Sequence, residues 1–254
     1  MATYRLKRLI VTTCALCCFA SYGYATTLLA HLTETQVFVA ADSKVIWINE
    51  GEARGCKILV ARNHIFASTG LLNALGFNVF EVARKAINSE ADHSSIVSAY
   101  EKEMTALIPS ILKQVRSLSV ELFDRKFRGQ IPFNGLFATA ENGALKTSYI
   151  AFGIGDKGEI SVIRQDCPGS CGDDITEPWF IDLGFNDAVQ AELARNPKIW
   201  KNLGIPGAMN KLITLQAAAT PKDVGGPVSI VTMRSDGKVE WNQAGQCFSF
   251  KPGN

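Results

Sequence analysis

An α+β fold, with antiparallel sheets covered by helices, is what the order of patterns along this chain predicts. Strand-like runs come in three blocks, and two blocks of helical periodicity separate them. Segregated blocks of this kind favour α+β over alternating strand–helix units. The turns between successive strand signals are also too short for the crossovers that parallel strands need. No linker, internal repeat or low-complexity tract breaks the 254 residues. One domain, residues 26–254, is therefore expected behind a separate N-terminal segment, residues 1–25.

Taken in order, Thr27–Leu32 and Gln36–Ala41 are short β-rich runs joined by the turn Thr33-Glu34-Thr35. Lys44–Asn49, Lys57–Ala61 and Ile65–Ser68 continue the block, the last two joined by Arg62-Asn63-His64. From Leu72 the period changes. Leu72, Leu75, Val79, Val82, Ala83, Ala86 and Ile87 recur at three and four, the spacing of one buried helical stripe. Asp92 or Ser94 can cap a second helix. It carries Ile96, Tyr100, Met104, Leu107, Ile111, Val115 and Leu118, and Pro109 is expected to kink or interrupt it.

Strands return at Phe133–Ala140, Lys146–Phe152 and Ile160–Arg164, with turns at Glu141-Asn142-Gly143 and Asp156-Lys157-Gly158. Residues 166–178, rich in Gly, Pro, Asp and Cys, are expected to form an exposed loop. A strand at Trp179–Gly184 leads to helices at Asp187–Lys201 and Pro206–Ala219, the second ended by Thr220-Pro221. Val228–Arg234 and Lys238–Asn242 close the chain as a hairpin across Ser235-Asp236-Gly237.

The first 25 residues have the pattern of a secretory signal: cations at Arg5, Lys7 and Arg8, an apolar run from Leu9 to Ala20, then small residues leading to Ala25. The apolar run is about twelve residues, short of the roughly 18–20 that an anchor spanning a bilayer needs. Cleavage after Ala25 and a periplasmic or secreted location are expected, with no stable membrane anchor afterwards. None of Cys14, Cys17 and Cys18 sits in a sequence that resembles a lipid-attachment signal.

Formal net charge is +2, and the three cations of the signal account for it: the remainder has 23 basic against 24 acidic residues. A nucleic-acid partner needs a basic face or stripe, and none is legible. Four cysteines remain beyond the signal: Cys56, Cys167, Cys171 and Cys247. An even number in an exported chain permits disulfides. Cys167 with Cys171 and Cys56 with Cys247 is one pairing, but sequence leaves the pairing open and plain buried thiols are the other reading. A zinc site is disfavoured, because the spacing is not C-x₂-C and His31, His64 and His93 are scattered. Those histidines, and Trp179, Trp200 and Trp241, are read as structural or surface residues. No cofactor or metal is expected.

The chemistry lies at the predicted cleavage point, which makes Thr26 a new N-terminus. A threonine hydroxyl is a weak nucleophile until a base takes its proton, and a free α-amine on the same residue, with a pKa of about 7.7–8.0, is such a base. The reaction also needs a cation, an acid to orient the cation, and a backbone N–H for the oxyanion. The candidates are Lys57, Asp42 and Gly70 respectively.

The runs Thr26-Thr27-Leu28-Leu29, Val39-Ala40-Ala41-Asp42-Ser43, Lys57-Ile58-Leu59 and Phe66-Ala67-Ser68-Thr69-Gly70-Leu71 resemble the first quarter of a proteasome β-type subunit, in the N-terminal-nucleophile hydrolases. The resemblance implies a four-layer αββα sandwich, two antiparallel sheets between helix layers. It implies Thr26 as nucleophile and base, Asp42 as orienting acid, Lys57 as cation and Gly70 as N–H donor. It also implies a threonine-type peptidase or amidase, a peptide or small amide as substrate, and assembly into homo-oligomers or rings.

The acid spacing matches and the lysine is one residue early. Where the family has Gly-Ser-Gly, this chain has Gly184-Phe185-Asn186, and near the last hairpin only Asp223 stands in for the family's supporting acid. The rival expectation is therefore a catalytically inactive periplasmic scaffold or binding protein of the same fold.

Overall fold

A computed structural model of the chain describes residues 26–47, 51–74, 76–169 and 179–247. Residues 1–25, where a signal was expected, most of the segment 166–178, where a loop was expected, and the last seven residues lie outside the described residues. The architecture is mixed α/β. Strands β1 (Thr27–Leu32) and β2 (Gln36–Ala41) pair antiparallel across the expected turn, with β12 (Trp179–Gly184) beside β1 and β13 (Ser229–Arg234) beside β2. With β14 (Val239–Gln243) on the edge, the order of this sheet is β12-β1-β2-β13-β14.

The second sheet uses β5 (Ile58–Ala61), β6 (His64–Gly70), β9 (Gln130–Glu141), β10 (Ala144–Ile154) and β11 (Ile160–Cys167). Its order is β11-β10-β9-β6-β5, and every pairing in it is antiparallel. The β9–β10 turn falls on Asn142 and Gly143, both at positive φ, as the Asn-Gly pair demands.

Period-two alternation sorts β1 between two cores. Leu28, Ala30 and Leu32 join a buried cluster with Ile65, Ala67, Leu136 and Ala138 of the second sheet. Leu29 points the other way, among Met209, Leu212 and Ile213 of helix α5 (Ile199–Ala219), near Val189 of α4 (Asp187–Arg195). The opposite face of the second sheet, with Phe66, Phe137, Ile150 and Phe152, packs under α1 (Val79–Ser89), α2 (His93–Leu118) and α3 (Val120–Lys126). Each large apolar side chain buried this way contributes about 1.5–3 kcal/mol.

Several expectations change. The first helix begins at Val79, not Leu72, because short strands β7 (Asn73–Ala74) and β8 (Phe77–Asn78) fold back on each other and Asn78 then caps the helix. Its side chain accepts from Phe80 N at 2.8 Å. Pro109 lies inside α2 without ending it. Ser119 ends α2 and caps α3, a helix not anticipated, and β4 (Gly51–Arg54) pairs unexpectedly with β3 (Lys44–Trp47). The predicted helix Asp187–Lys201 is two pieces, because the chain leaves helical geometry at Asn196. The real break inside α5 is at Gly204, where φ is +65°.

Candidate active site

Thr26 enters β1 between the two sheets, and its carbonyl accepts from Phe185 N at 3.0 Å. Gly184 makes this approach sterically open: it pairs with Thr27 at φ +81°, and a Cβ there would stand 2.0 Å from the Thr26 carbonyl oxygen. Thr27 adds a second tie, its hydroxyl donating to the Phe185 carbonyl at 2.7 Å. The segment Gly184-Phe185-Asn186, where no supporting serine stands, thus holds the strand start through backbone groups.

Asp42 ends β2 one position past the last ladder residue. Its Oδ1 accepts from Lys57 Nζ and Thr27 N, both at 2.9 Å. Its Oδ2 accepts from Lys44 N at 3.0 Å and Gly225 N at 3.1 Å. A carboxylate has about four lone-pair sites, so all are occupied and the group is locked in orientation. Gly225 belongs to the turn where Asp223 was expected to stand in. That turn contributes a backbone N–H instead, while Asp223 N closes a local turn to the Thr220 carbonyl at 3.0 Å.

Lys57 sits just before β5, and its carbonyl accepts from Ser68 N at 3.2 Å. Its Nζ donates to Thr26 Oγ1 at 2.7 Å as well as to Asp42. Thr26, Asp42 and Lys57 are each about 1% exposed, so this ion pair works in a low-dielectric setting. Burial, the larger effect, lowers the Lys57 ammonium from the ordinary 10.5 to about 8, against the opposing pull of Asp42. An ammonium so placed is still mostly charged near neutrality, which suits it to donate to the hydroxyl and to stabilise negative charge that develops there.

The structure therefore brings three of the four sequence candidates together. Gly70 lies two residues beyond the backbone partner of Lys57, a rise of about 7 Å along β6. Its φ of +88° is accounted for by the start of β9: a Cβ would lie 2.1 Å from the Pro132 carbonyl oxygen. What sequence reasoning missed are the backbone donors of Lys44 and Gly225 and both groups of Phe185. Only the glycines Gly184 and Gly225-Gly226 hinted at them. Cys56, next to Lys57, is disulfide-bonded to Cys247, and Cys167 is disulfide-bonded too. Among the described residues no group of three or more His, Cys, Asp or Glu side chains is placed to hold a metal ion.

No family model matches the chain, and no curated protein matches it. Among solved structures it is similar to Anbu from Hyphomicrobium sp. strain MC1, at 14% identity over 88% of this chain and 89% of that one, with a TM-score of 0.47. A Gly-1 mutant of the same protein gives 14% identity, 89% of each chain and 0.47. Anbu (ancestral beta-subunit) from Yersinia bercovieri gives 12%, 85% and 86%, and 0.46. The expected membership of the proteasome β-type, N-terminal-nucleophile hydrolase family, as an exported member, is thereby corrected: no family model carries it, and the structural neighbours are Anbu proteins. At 14% identity and a TM-score below 0.5, that likeness identifies neither a shared activity nor a shared assembly.

Proposed function

We propose that the chain is a threonine hydrolase that cleaves amide bonds, in peptides or small amides, through an acyl-enzyme on Thr26. One observation carries this reading: Lys57 Nζ lies 2.7 Å from Thr26 Oγ1 while Asp42 holds the same ammonium at 2.9 Å. Cleavage after Ala25 during export to the periplasm or medium gives Thr26 a free α-amine. The amine takes the hydroxyl proton as Oγ1 attacks the substrate carbonyl, and Lys57 stabilises the charge that develops. The tetrahedral oxyanion is met by a backbone N–H, for which Gly70 is the candidate. Collapse passes the proton to the departing amine and leaves an ester on Thr26. Water, deprotonated by the same amine, then releases the acid.

The scaffold belonging to this reading is a helix–sheet–sheet–helix sandwich in one domain, residues 26–254. Three buried clusters support that layering, one shared by the two sheets and one on each outer face. Assembly into a homo-oligomer belongs to the same reading.

A second reading is a catalytically inactive scaffold or binding protein. It is favoured by the missing serine at Gly184-Phe185-Asn186. The intact mass of protein from the exported fraction separates the two, followed by trapping with an amide-mimicking electrophile. A chain starting at Thr26 that gains one inhibitor mass, and fails to do so as Thr26→Ala, supports the hydrolase. A different first residue, or labelling that survives in Thr26→Ala, leaves the scaffold reading.

A further inference from the structure

Two of the chain's three histidines converge on a single buried hydroxyl, away from the Thr26 site. His64 Nδ1 and His93 Nδ1 each lie 2.8 Å from Thr139 Oγ1, and His93 Nε2 lies 2.8 Å from Ser148 Oγ. Ser148 Oγ in turn donates to Asp166, which accepts from Arg164 Nε at 3.0 Å. The series crosses five elements. His64 is on β6, Thr139 on β9, Ser148 on β10, Asp166 on β11, and His93 opens α2 over them.

Donor chemistry sets the direction of every bond in the series. An ionised carboxylate only accepts, so the Ser148 hydrogen goes to Asp166 and the Ser148 oxygen must accept from His93 Nε2–H. A neutral His93 with its proton on Nε2 has a bare Nδ1, to which the Thr139 hydroxyl donates. The Thr139 oxygen is then left to accept from His64 Nδ1–H. The tautomers follow from the network. All four interior members, His64, His93, Thr139 and Ser148, are buried.

We propose that this chain is an acid-sensitive latch: it holds the first turn of α2 on the sheet while His93 is neutral and releases it when His93 gains a second proton. A proton on Nδ1 turns that atom into a donor facing Thr139. The Thr139 oxygen then meets two N–H donors, and its own hydrogen loses its His93 acceptor in a buried interface, a costly arrangement. The incoming charge is buried, and the neighbouring charges offer mixed help. Lys146 lies on the repulsive side, as does His64 when charged, whereas Asp166 and Glu141 lie on the attractive side; Arg62 in turn disfavours a proton on His64. Glu141 is already engaged, accepting from Lys146 Nζ at 3.0 Å and from His93 N at 3.3 Å. Arg164, with Glu101 at 3.6 Å and Ser98 Oγ at 3.0 Å, ties Asp166 to the next turn of α2.

Burial foremost pushes His93 down to about 4, from the ordinary 6.5 that an unfolded chain shows. The unfolded state then binds more protons than the folded one between those values. Stability contributed by neutral His93 is full above pH 6.5 and is lost as pH falls toward 4. That displacement bounds the effect at about 300-fold in the folding equilibrium.

The test is hydrogen exchange of residues 93–100, corrected for intrinsic rate, at pH 7 and pH 4.5, in the wild type and in His93→Gln. Expected is a loss of protection with acid in the wild type that is at least tenfold smaller in the variant. Equal acid loss in both proteins overturns the latch. An NMR titration of the His93 ring in the wild type decides independently if His93→Gln does not fold. A midpoint below 5 that coincides with loss of protection in α2 supports the proposal. A midpoint near 6.5 with α2 still protected overturns it.

Discussion

At Lys57 burial and pairing act in opposite directions: burial carries the ammonium down to about 8, while Asp42 at 2.9 Å pulls it back up. The folded chain therefore holds this proton less tightly than the unfolded chain, whose lysine titrates near 10.5. Between about 8 and 10.5 the unfolded state carries more protons, so stability rises with pH across that window. Urea unfolding at pH 8 and pH 10 should show this rise in the wild type and lose it in Lys57→Met. A pH difference that is the same in both proteins would mean the ammonium is solvated. At pH 7 the same substitution should cost about 1–3 kcal/mol, because it removes the Nζ donor that a neutral amine keeps and leaves the buried Asp42 Oδ1 and Thr26 Oγ1 short of a partner. The residue types at Thr26, Asp42 and Lys57 were legible in the sequence as a nucleophile with an acid and a cation. The saturation of Asp42 by Lys44 N and Gly225 N was not, since every residue except proline carries that donor and its identity says nothing about where it points.

Among the elements, β1, β2 and β12 begin and end where the sequence placed them. Their boundaries are marked by local signals, a polar turn or a glycine, that need no distant partner. The start of α1 was misplaced for an equally local reason. Leu72 and Leu75 have helical spacing from Val79, yet Gly76 and Asn78 favour a turn and a cap, and the cap prevails. Asn78 accepts from both Phe80 N and Glu81 N. Asn78→Ala should therefore destabilise the protein by about 1 kcal/mol, read as a lower urea midpoint with an unchanged slope. An unchanged midpoint would show that α1 is held by its buried stripe alone. β4 and α3 escaped notice because a four-residue strand and a seven-residue helix carry too few positions for a period to appear.

For the molecule as a whole, the disulfide between Cys56 and Cys247 links residues 191 apart in sequence. It fastens the end of the described chain to the residue beside Lys57. A cross-link closing so long a loop restricts the unfolded chain strongly, with typical effects of about 2–5 kcal/mol. Cys56→Ser with Cys247→Ser should lower the stability of the non-reduced protein by that amount. Reductant should cost the wild type a comparable amount. Equal stability with and without the bond would mean that the unfolded chain is already compact. No helix among the described residues is long and apolar enough to cross a membrane.

The sequence by itself determined the order and type of most elements, because alternation and helical period are properties of neighbouring residues. It also marked Thr26, Asp42 and Lys57 as chemically competent types. The tertiary structure alone decided that these three meet, since Lys57 reaches Thr26 only through the way the two sheets pack together. It alone decided that Cys56 joins Cys247, that Gly225 rather than Asp223 serves Asp42, and that His64 and His93 share Thr139. Each of these is a contact between segments far apart in sequence, and no local pattern encodes the register and packing that bring such segments within hydrogen-bond reach.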